Sequence, residues 1–356
     1  MKLKNKIILL LAIVVGLSGC YPVTTQASSD NTIQNAMSIS ENGTYSGSAS
    51  EGEAYYRLDI KQAEVVTLTL EVYQTSDTYF TLYDNEYEKI DSWYVYYDEN
   101  RNAAYRKVKL YLCPGSHYIK LSVDKTATYS FKLSSQNVKE TFSESQWDRN
   151  DILSQAKKIS LGQKVYGMLG NDDLQDFYIF DMPFSGNLVI SHTNYIEAGY
   201  GKYEILDSEG NRIESFQTYY DNNKGYAYDK DIVKLDKGRY YIKVCNNANF
   251  YDYDGTYHFV MSVKPEAGGI ESVTRTKTKA TVRLERSDEA TGYILQYSTS
   301  DKFGKKSTKS KTIKGTTVKL KGLNKNKKYY LRVRRYKKYN GKTYYSDYGN
   351  VYTLWP

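Results

Sequence analysis

Apolar positions follow two patterns along this chain. Residues 7–17 form one continuous apolar run behind Lys2, Lys4 and Lys6. That run is well short of the roughly 20 residues that span a bilayer, and it has the layout of an export signal. After residue 20 no long stripe at helical spacing occurs. Apolar and polar residues instead alternate in short runs bounded by Gly, Asn and Asp, as in Tyr240-Tyr241-Ile242-Lys243-Val244. Alternation of this kind predicts strands with one face inward, and its recurrence to the C-terminus predicts an all-β protein built of sandwiches.

Composition agrees with strands. The 356 residues include 39 Tyr but only 10 Phe, 3 Trp and 5 Pro. Such a length suits two or three domains. With Cys20 set aside, Cys113 and Cys245 are the remaining cysteines, too few for a disulfide framework. Charge is uneven. Residues 270–356 carry a net +16 and the leader +3, which leaves −11 for residues 21–269 of a chain whose total is +8. The change of sign supports a boundary at Pro265-Glu266-Ala267-Gly268-Gly269.

Leu17-Ser18-Gly19-Cys20 resembles the lipobox of bacterial lipoproteins. The resemblance implies cleavage before Cys20 and acylation of its thiol, hence a lipid anchor on the membrane of a Gram-positive cell. An ordinary secretory signal cut after Ala27 is the alternative, and both place the protein outside the cytoplasm.

The acidic part repeats itself. Val108 to Leu121, with Cys113-Pro114-Gly115-Ser116-His117-Tyr118-Ile119-Lys120, returns as Ile232 to Val244, with Asp236-Lys237-Gly238-Arg239-Tyr240-Tyr241-Ile242-Lys243. Tyr55-Tyr56-Arg57-Leu58 returns as Phe177-Tyr178-Ile179-Phe180. Gly43 to Gly47 returns as Gly162 to Gly167, and Thr128-Tyr129-Ser130-Phe131 as Thr256-Tyr257-His258-Phe259. A period this long means tandem domains. Gly115 and Gly238 are expected at tight turns that need positive φ. Each unit resembles the bacterial pre-peptidase C-terminal family, a small jelly-roll-like β-sandwich. The basic tail resembles a fibronectin type III domain. Gly292-Tyr293-Ile294-Leu295-Gln296-Tyr297 looks like its third strand, and Leu323 with Lys328-Tyr329-Tyr330-Leu331-Arg332-Val333-Arg334 looks like its tyrosine corner and sixth strand. Tyr329 would be the corner tyrosine. Val282-Arg283-Leu284-Glu285-Arg286 lacks the Trp that usually ends the second strand. The expected organisation is a signal peptide at 1–19, a linker at 20–29, sandwiches at 30–136 and 144–263, and a fibronectin type III domain at 268–356.

Motifs for catalysis are missing. The three histidines lie in no His-Glu-x-x-His, and neither a Gly-x-Ser-x-Gly elbow nor a phosphate loop occurs. The expectation is therefore a non-enzyme. One cluster suits a metal. In sandwiches related to the second unit, including collagen-binding modules of clostridial collagenases, a leading acidic segment joins aspartates of the next turn around calcium. Asp148, Asn150, Asp151, Asp173 and Asp176 occupy the matching places, with Gln146 at the upstream acidic position. Hard oxygen donors suit calcium. The alternative is solvated turn and capping residues. In the first unit Ala54 stands where Asp176 stands in the second. Tyrosine runs on both faces of strands leave some rings for solvent and for a protein or glycan ligand. The candidates are Trp93, Tyr94, Tyr96, Tyr219, Tyr226 and Tyr251. An exported basic tail suits anionic wall polymer rather than nucleic acid, through Lys305, Lys306, Lys309, Lys311, Arg332, Arg334 and Arg335. These expectations add up to a surface-binding or scaffold lipoprotein. An accessory part of an extracellular hydrolase system and a structural spacer are the alternatives.

Overall fold

In a computed structural model of the chain, residues 32–49, 52–73, 78–123, 126–144, 149–170, 173–196, 200–245 and 254–356 are described. The signal segment, Cys20 and the expected linker lie outside these residues. Among the described residues, the regular elements are strands and two 3-10 turns, Ile33–Asn35 and Leu153–Gln155. The fold is all-β, with three sandwiches in tandem.

The first sandwich contains β1 (Met37–Ile39), β2 (Gly43–Ala49), β3 (Gly52–Ile60), β4 (Glu64–Tyr73), β5 (Thr78–Tyr83), β6 (Lys89–Tyr94), β7 (Tyr96–Asp98), β8 (Ala103–Leu112), β9 (Gly115–Val123) and β10 (Ala127–Asn137). Its sheets run β1-β3-β9-β5-β6 and β2-β10-β4-β8-β7. The second contains β11 (Lys157–Lys158), β12 (Lys164–Leu169), β13 (Gln175–Met182), β14 (Gly186–Asn194), β15 (Tyr200–Leu206), β16 (Arg212–Tyr219), β17 (Ala227–Leu235), β18 (Gly238–Cys245) and β19 (Gly255–Lys264). Its sheets run β11-β13-β18-β15-β16 and β12-β19-β14-β17. Strand for strand this is the first order again, without a counterpart of β7. In both units a short lead strand pairs in parallel, β1 with β3 and β11 with β13.

The chain also divides into two compact units. Among the described residues, one holds 32–58, 67–108 and 118–134; the other holds 59–66, 109–117 and 135–356. Within the latter, Ala63, Tyr111, Cys113 and Met168 form a small buried cluster. Neither Cys113 nor Cys245 is in a disulfide, and both are buried.

A tyrosine pair recurs in both repeats. Gly47 lies opposite Tyr129 in the β2–β10 ladder, and Gly167 lies opposite Tyr257 in the β12–β19 ladder. Each ring lies across its glycine, so that an added Cβ would run into the tyrosine hydroxyl. That hydroxyl then meets a tyrosine of the other sheet, Tyr56 at 2.5 Å in the first unit and Tyr178 at 2.6 Å in the second. All four rings are fully buried. A buried phenol requires a hydrogen-bond partner, so each pair ties its two sheets together with polar groups satisfied. The expected positive φ holds at Gly115, at 149°, but Gly238 is not among the positive-φ glycines. A Cβ at Gly238 would make only ordinary contact with the Tyr240 ring, at 3.5 Å.

The third sandwich contains β20 (Ile270–Thr276), β21 (Lys279–Leu284), β22 (Gly292–Ser298), β23 (Thr308–Ile313), β24 (Thr317–Lys321), β25 (Tyr329–Tyr339), β26 (Lys342–Tyr345) and β27 (Tyr352–Leu354). β20-β21-β24 faces a sheet in which β23, β22 and β25 are consecutive and β26 and β27 both pair with β25. Tyr329 is the corner tyrosine: its hydroxyl accepts the Asn324 amide at 3.1 Å. Leu331 and Val333 are fully buried, and Val282 and Leu284 close the core where the usual Trp is missing.

Gly167→Ala is expected to destabilise the second sandwich by about 1–3 kcal/mol, the usual cost of forcing a methyl group into a packed site. Gly315, which has nothing within 4 Å, is the control. Thermal unfolding of the two variants checks this, and equal midpoints would contradict it.

Candidate metal centre

The second sandwich opens with a segment that crosses the end of β13. The Phe177 amide donates to the Asn150 carbonyl at 2.8 Å, and Asn150 Nδ2 returns a bond to the Phe177 carbonyl at 3.2 Å. Gln175 Nε2 holds the Asp151 carbonyl at 2.9 Å. A reciprocal Gly170–Asp173 backbone pair, at 2.9 and 3.2 Å, closes the turn before β13. These bonds deliver Asn150, Asp151, Asp173 and Asp176 to one place, as their sequence order suggested. Asp148 lies outside the described residues.

A residue that the sequence reading missed completes the group. Glu144, Asp151 and Asp173 bring carboxylate oxygens within 4.8 Å of one another. Glu144, Asn150, Asp173 and Asp176 are all buried, and Glu144 Oε2, Asn150 Oδ1, Asp173 Oδ1 and Asp176 Oδ1 have no hydrogen-bond partner. The other Asp176 oxygen accepts the Tyr257 hydroxyl. Tyr257 in turn is bonded to Tyr178, so the acidic cluster is wired to the tyrosine pair of the core.

Electrostatics marks the cluster as incomplete by itself. Burial pushes Asp176 up to about 7, against the lowering effect of its bonds from Tyr257 and Glu144. Burial and the Asp176 charge push Glu140 up to about 7 and Glu144 up to about 10. Asp173 is held well above the carboxylate range, first by burial and then by Asp176. Arg149 Nη1 lies 3.7 Å from Asp151, a cation facing several carboxylates. Burying like charges without compensation is strongly unfavourable. One oxygen each of Glu144, Asn150, Asp173 and Asp176 lacks a protein donor, and all of these are hard ligands. This fits a hard divalent cation. In the first sandwich the place of Asp176 is taken by buried Ala54, although the Tyr56–Tyr129 pair persists.

The aromatic candidates separate by strand parity. Trp93 is buried and stacks on Phe80 with centroids 4.5 Å apart, so it is a core residue and not a ligand contact. Its neighbour Tyr94 points the other way, between Tyr79 at 5.0 Å and the exposed Tyr96 at 4.7 Å. Tyr219 is 66% exposed beside Tyr200, and Tyr226 lies near Tyr195. Tyr251 lies outside the described residues.

The basic candidates do not form one surface. Arg335 is buried, with Glu266 and Glu285 each at 3.8 Å, so it is a structural charge rather than a polyanion contact. Arg332 and Arg334 both lie over Tyr348, at 4.1 and 5.0 Å, and Arg332 Nε donates to Gln296 at 2.9 Å. Lys309 and Lys311 are in register with the inward-facing Tyr297 and Leu295, on the opposite side of the sheet from Arg332. Lys311 is tied to the Lys319 carbonyl at 2.9 Å. Lys305 and Lys306 are exposed in the preceding turn.

Sequence reasoning also missed an acid–imidazole–hydroxyl chain. His192 Nε2 lies 2.6 Å from Asp231 Oδ2, and its Nδ1 lies 2.9 Å from Thr218 Oγ1. His192 and Thr218 are buried, so the chain links β14, β16 and β17 and offers no open hydroxyl.

Carboxylates whose folded-state pKa is raised bind more protons folded than unfolded, so stability falls as pH rises above their ordinary values near 4. Without divalent cations, the second sandwich is therefore expected to melt lower at about pH 8 than at about pH 5. Thermal scans in chelator check this. A midpoint that rises over this range would contradict it.

Comparison with known proteins places these features in context. No protein-family model matches the chain. Collagenase ColA of Clostridium perfringens (strain 13 / Type A) is 25% identical over 255 residues, which make up 68% of this chain but 22% of that protein. The chain thus spans about a fifth of the length of that curated relative. Among solved structures, the pre-peptidase C-terminal domain of a Bacillus anthracis collagenase shares 23% identity over 30% of this chain and 94% of that one, with a TM-score of 0.24. A two-domain fibronectin type III segment of chicken tenascin shares 16% identity over 51% of this chain and 98% of that one, with a TM-score of 0.25. This chain is similar to parts of modular proteins of these kinds.

Proposed function

We propose that the chain is an exported, non-catalytic binding protein whose second sandwich is locked by calcium. One observation carries the metal: carboxylate oxygens of Glu144, Asp151 and Asp173 lie within 4.8 Å of one another, and buried oxygens of Glu144, Asn150, Asp173 and Asp176 have no hydrogen-bond partner. Calcium accepts 6–8 oxygens in irregular geometry, whereas magnesium demands a near-ideal octahedron. The cluster has no His or Cys that would favour zinc or copper. Bound there, the ion would supply the positive charge that lets the carboxylates ionise together. Glu144 and Asn150 would hold it from the leading segment, and Asp173 and Asp176 from β13 and its turn.

Export is supported by the basic and apolar leader, and anchoring by Leu17-Ser18-Gly19-Cys20. Binding is supported by the exposed Tyr96 and Tyr219, rigid amphipathic rings of the kind interfaces use. The likeness to collagenase ColA favours one particular setting, an accessory piece of an extracellular peptidase system.

Thermal unfolding with calcium against chelator tests the metal. A ligand that binds only the folded state stabilises it by about 2.7 kcal/mol at a hundredfold excess over Kd. A raised midpoint in millimolar calcium is expected, and Glu144→Gln should abolish the rise without lowering the midpoint in chelator. No shift in the parent chain would contradict the proposal. Fatty-acid labelling that survives Cys20→Ala would contradict the anchor.

A further inference from the structure

The outer face of the β12-β19-β14-β17 sheet differs from the acidic chain around it. The ladders set Tyr166, His258, Thr193 and Tyr228 in one transverse row. The next row is Lys164, Val260, Ser191 and Lys230. Lys139 joins from the adjoining segment, its ammonium 4.0 Å above the Tyr166 ring, while Lys164 lies 4.9 Å from the same ring. Neighbouring strands are about 4.8 Å apart, so Lys164 and Lys230 stand roughly 14 Å from each other across the sheet.

Among the described residues, the strand positions on that face carry no carboxylate. Asp229 and Asp231 alternate to the other side of β17, where Asp231 is bonded to His192. Lys234 and Lys264, at the far end of their strands, are paired with Glu266 and Asp347. Lys139, Lys164 and Lys230 are exposed, and among the described residues none of them has an ion pair. Tyr228 is 58% exposed and Ile232 is 54% exposed. Burial, Lys164 and Lys139 hold His258 below its ordinary range, and the same two lysines hold Tyr166 below its own, both signs of positive potential over the face.

We propose that this face binds an acidic polysaccharide, with sugar rings laid on Tyr166 and Tyr228 and anionic groups met by Lys139, Lys164 and Lys230. The proposal deepens the binding role argued above and rests on it. Exposed rings on a sheet face, Tyr228 above all, suit the broad faces of pyranose rings, which present C–H groups to an aromatic surface. Lysines on both flanks, with no competing acid, complement a chain that carries charge at regular intervals. A neutral glycan would leave the lysines without partners. An apolar protein surface would have to bury them, which is costly.

The full chain tests this on immobilised hyaluronate, heparin, neutral dextran and collagen at low salt. Retention on hyaluronate or heparin, but not dextran, is expected, and it should weaken as salt rises and screening shortens to about 8 Å. Carboxylate and sulfate recognition are separated by which of the two polymers retains it. Lys164→Glu with Lys230→Glu should weaken retention by about tenfold or more, a change of about 1.4 kcal/mol, and Tyr228→Ala should also weaken it. Each variant should keep the calcium-dependent rise in melting midpoint, which shows that the sandwich is folded. Loss of that rise in the parent chain would overturn the calcium reading alone. Retention on neither polymer, retention untouched by the variants, or retention on collagen in place of polysaccharide would overturn this proposal.

Discussion

Carboxylates buried together at the entrance of the second sandwich set the terms for that domain. Glu144, Asp173 and Asp176 have left water, and burial holds each above its ordinary pKa. Protons or a divalent cation can meet this demand. Protons meet it only at the cost of stability near neutral pH, whereas a cation meets it by using oxygens that otherwise have no partner. The hydrogen bond from Tyr257 to Asp176, and from there the Tyr178 pairing, carries the state of this cluster directly into the core. The leading segment, pinned through Asn150 and Asp151, belongs to the same unit of interaction.

Comparison of the two repeats shows which parts of this device are separable. Both keep the strand order, the glycine beneath a tyrosine ring and the tyrosine pair that joins the sheets. The first repeat has Ala54 in the place of Asp176, a small apolar residue that needs no counter-charge. The first sandwich thus closes without an acidic centre, which is an addition to one copy.

Much of this was legible in the sequence because period-2 alternation and a long internal repeat report directly on strands and their order. The tyrosine corner at Tyr329 and the buried Leu331 and Val333 follow from a single register. The acidic cluster was legible in Asn150, Asp151, Asp173 and Asp176 because the resemblance to collagenase-associated sandwiches puts these positions at two meeting turns. Glu144 was not, because the reading placed the upstream ligand at Gln146, and spacing does not say where a backbone bends. Trp93 and Arg335 were misplaced for a different reason. Each belongs to a run of similar residues, Trp93 with Tyr94 and Tyr96, Arg335 with Arg332 and Arg334. Parity within the run, which puts Arg335 on the side of Leu331 and Val333, is the signal that separates inward from outward. The chain His192–Asp231–Thr218 joins three strands from distant parts of the sequence and has no local signature.

Sensitised terbium luminescence is the most direct measurement of the central claim, that the cluster of Glu144, Asp151, Asp173 and Asp176 is a hard-cation site. Terbium takes oxygen ligands as calcium does, and Tyr257 and Tyr178 stand next to the cluster to transfer excitation. The account predicts tyrosine-excited terbium emission that saturates at one ion per chain, is displaced by calcium and is lost in Asp173→Asn. Emission that is absent, or that neither calcium nor Asp173→Asn diminishes, would contradict it.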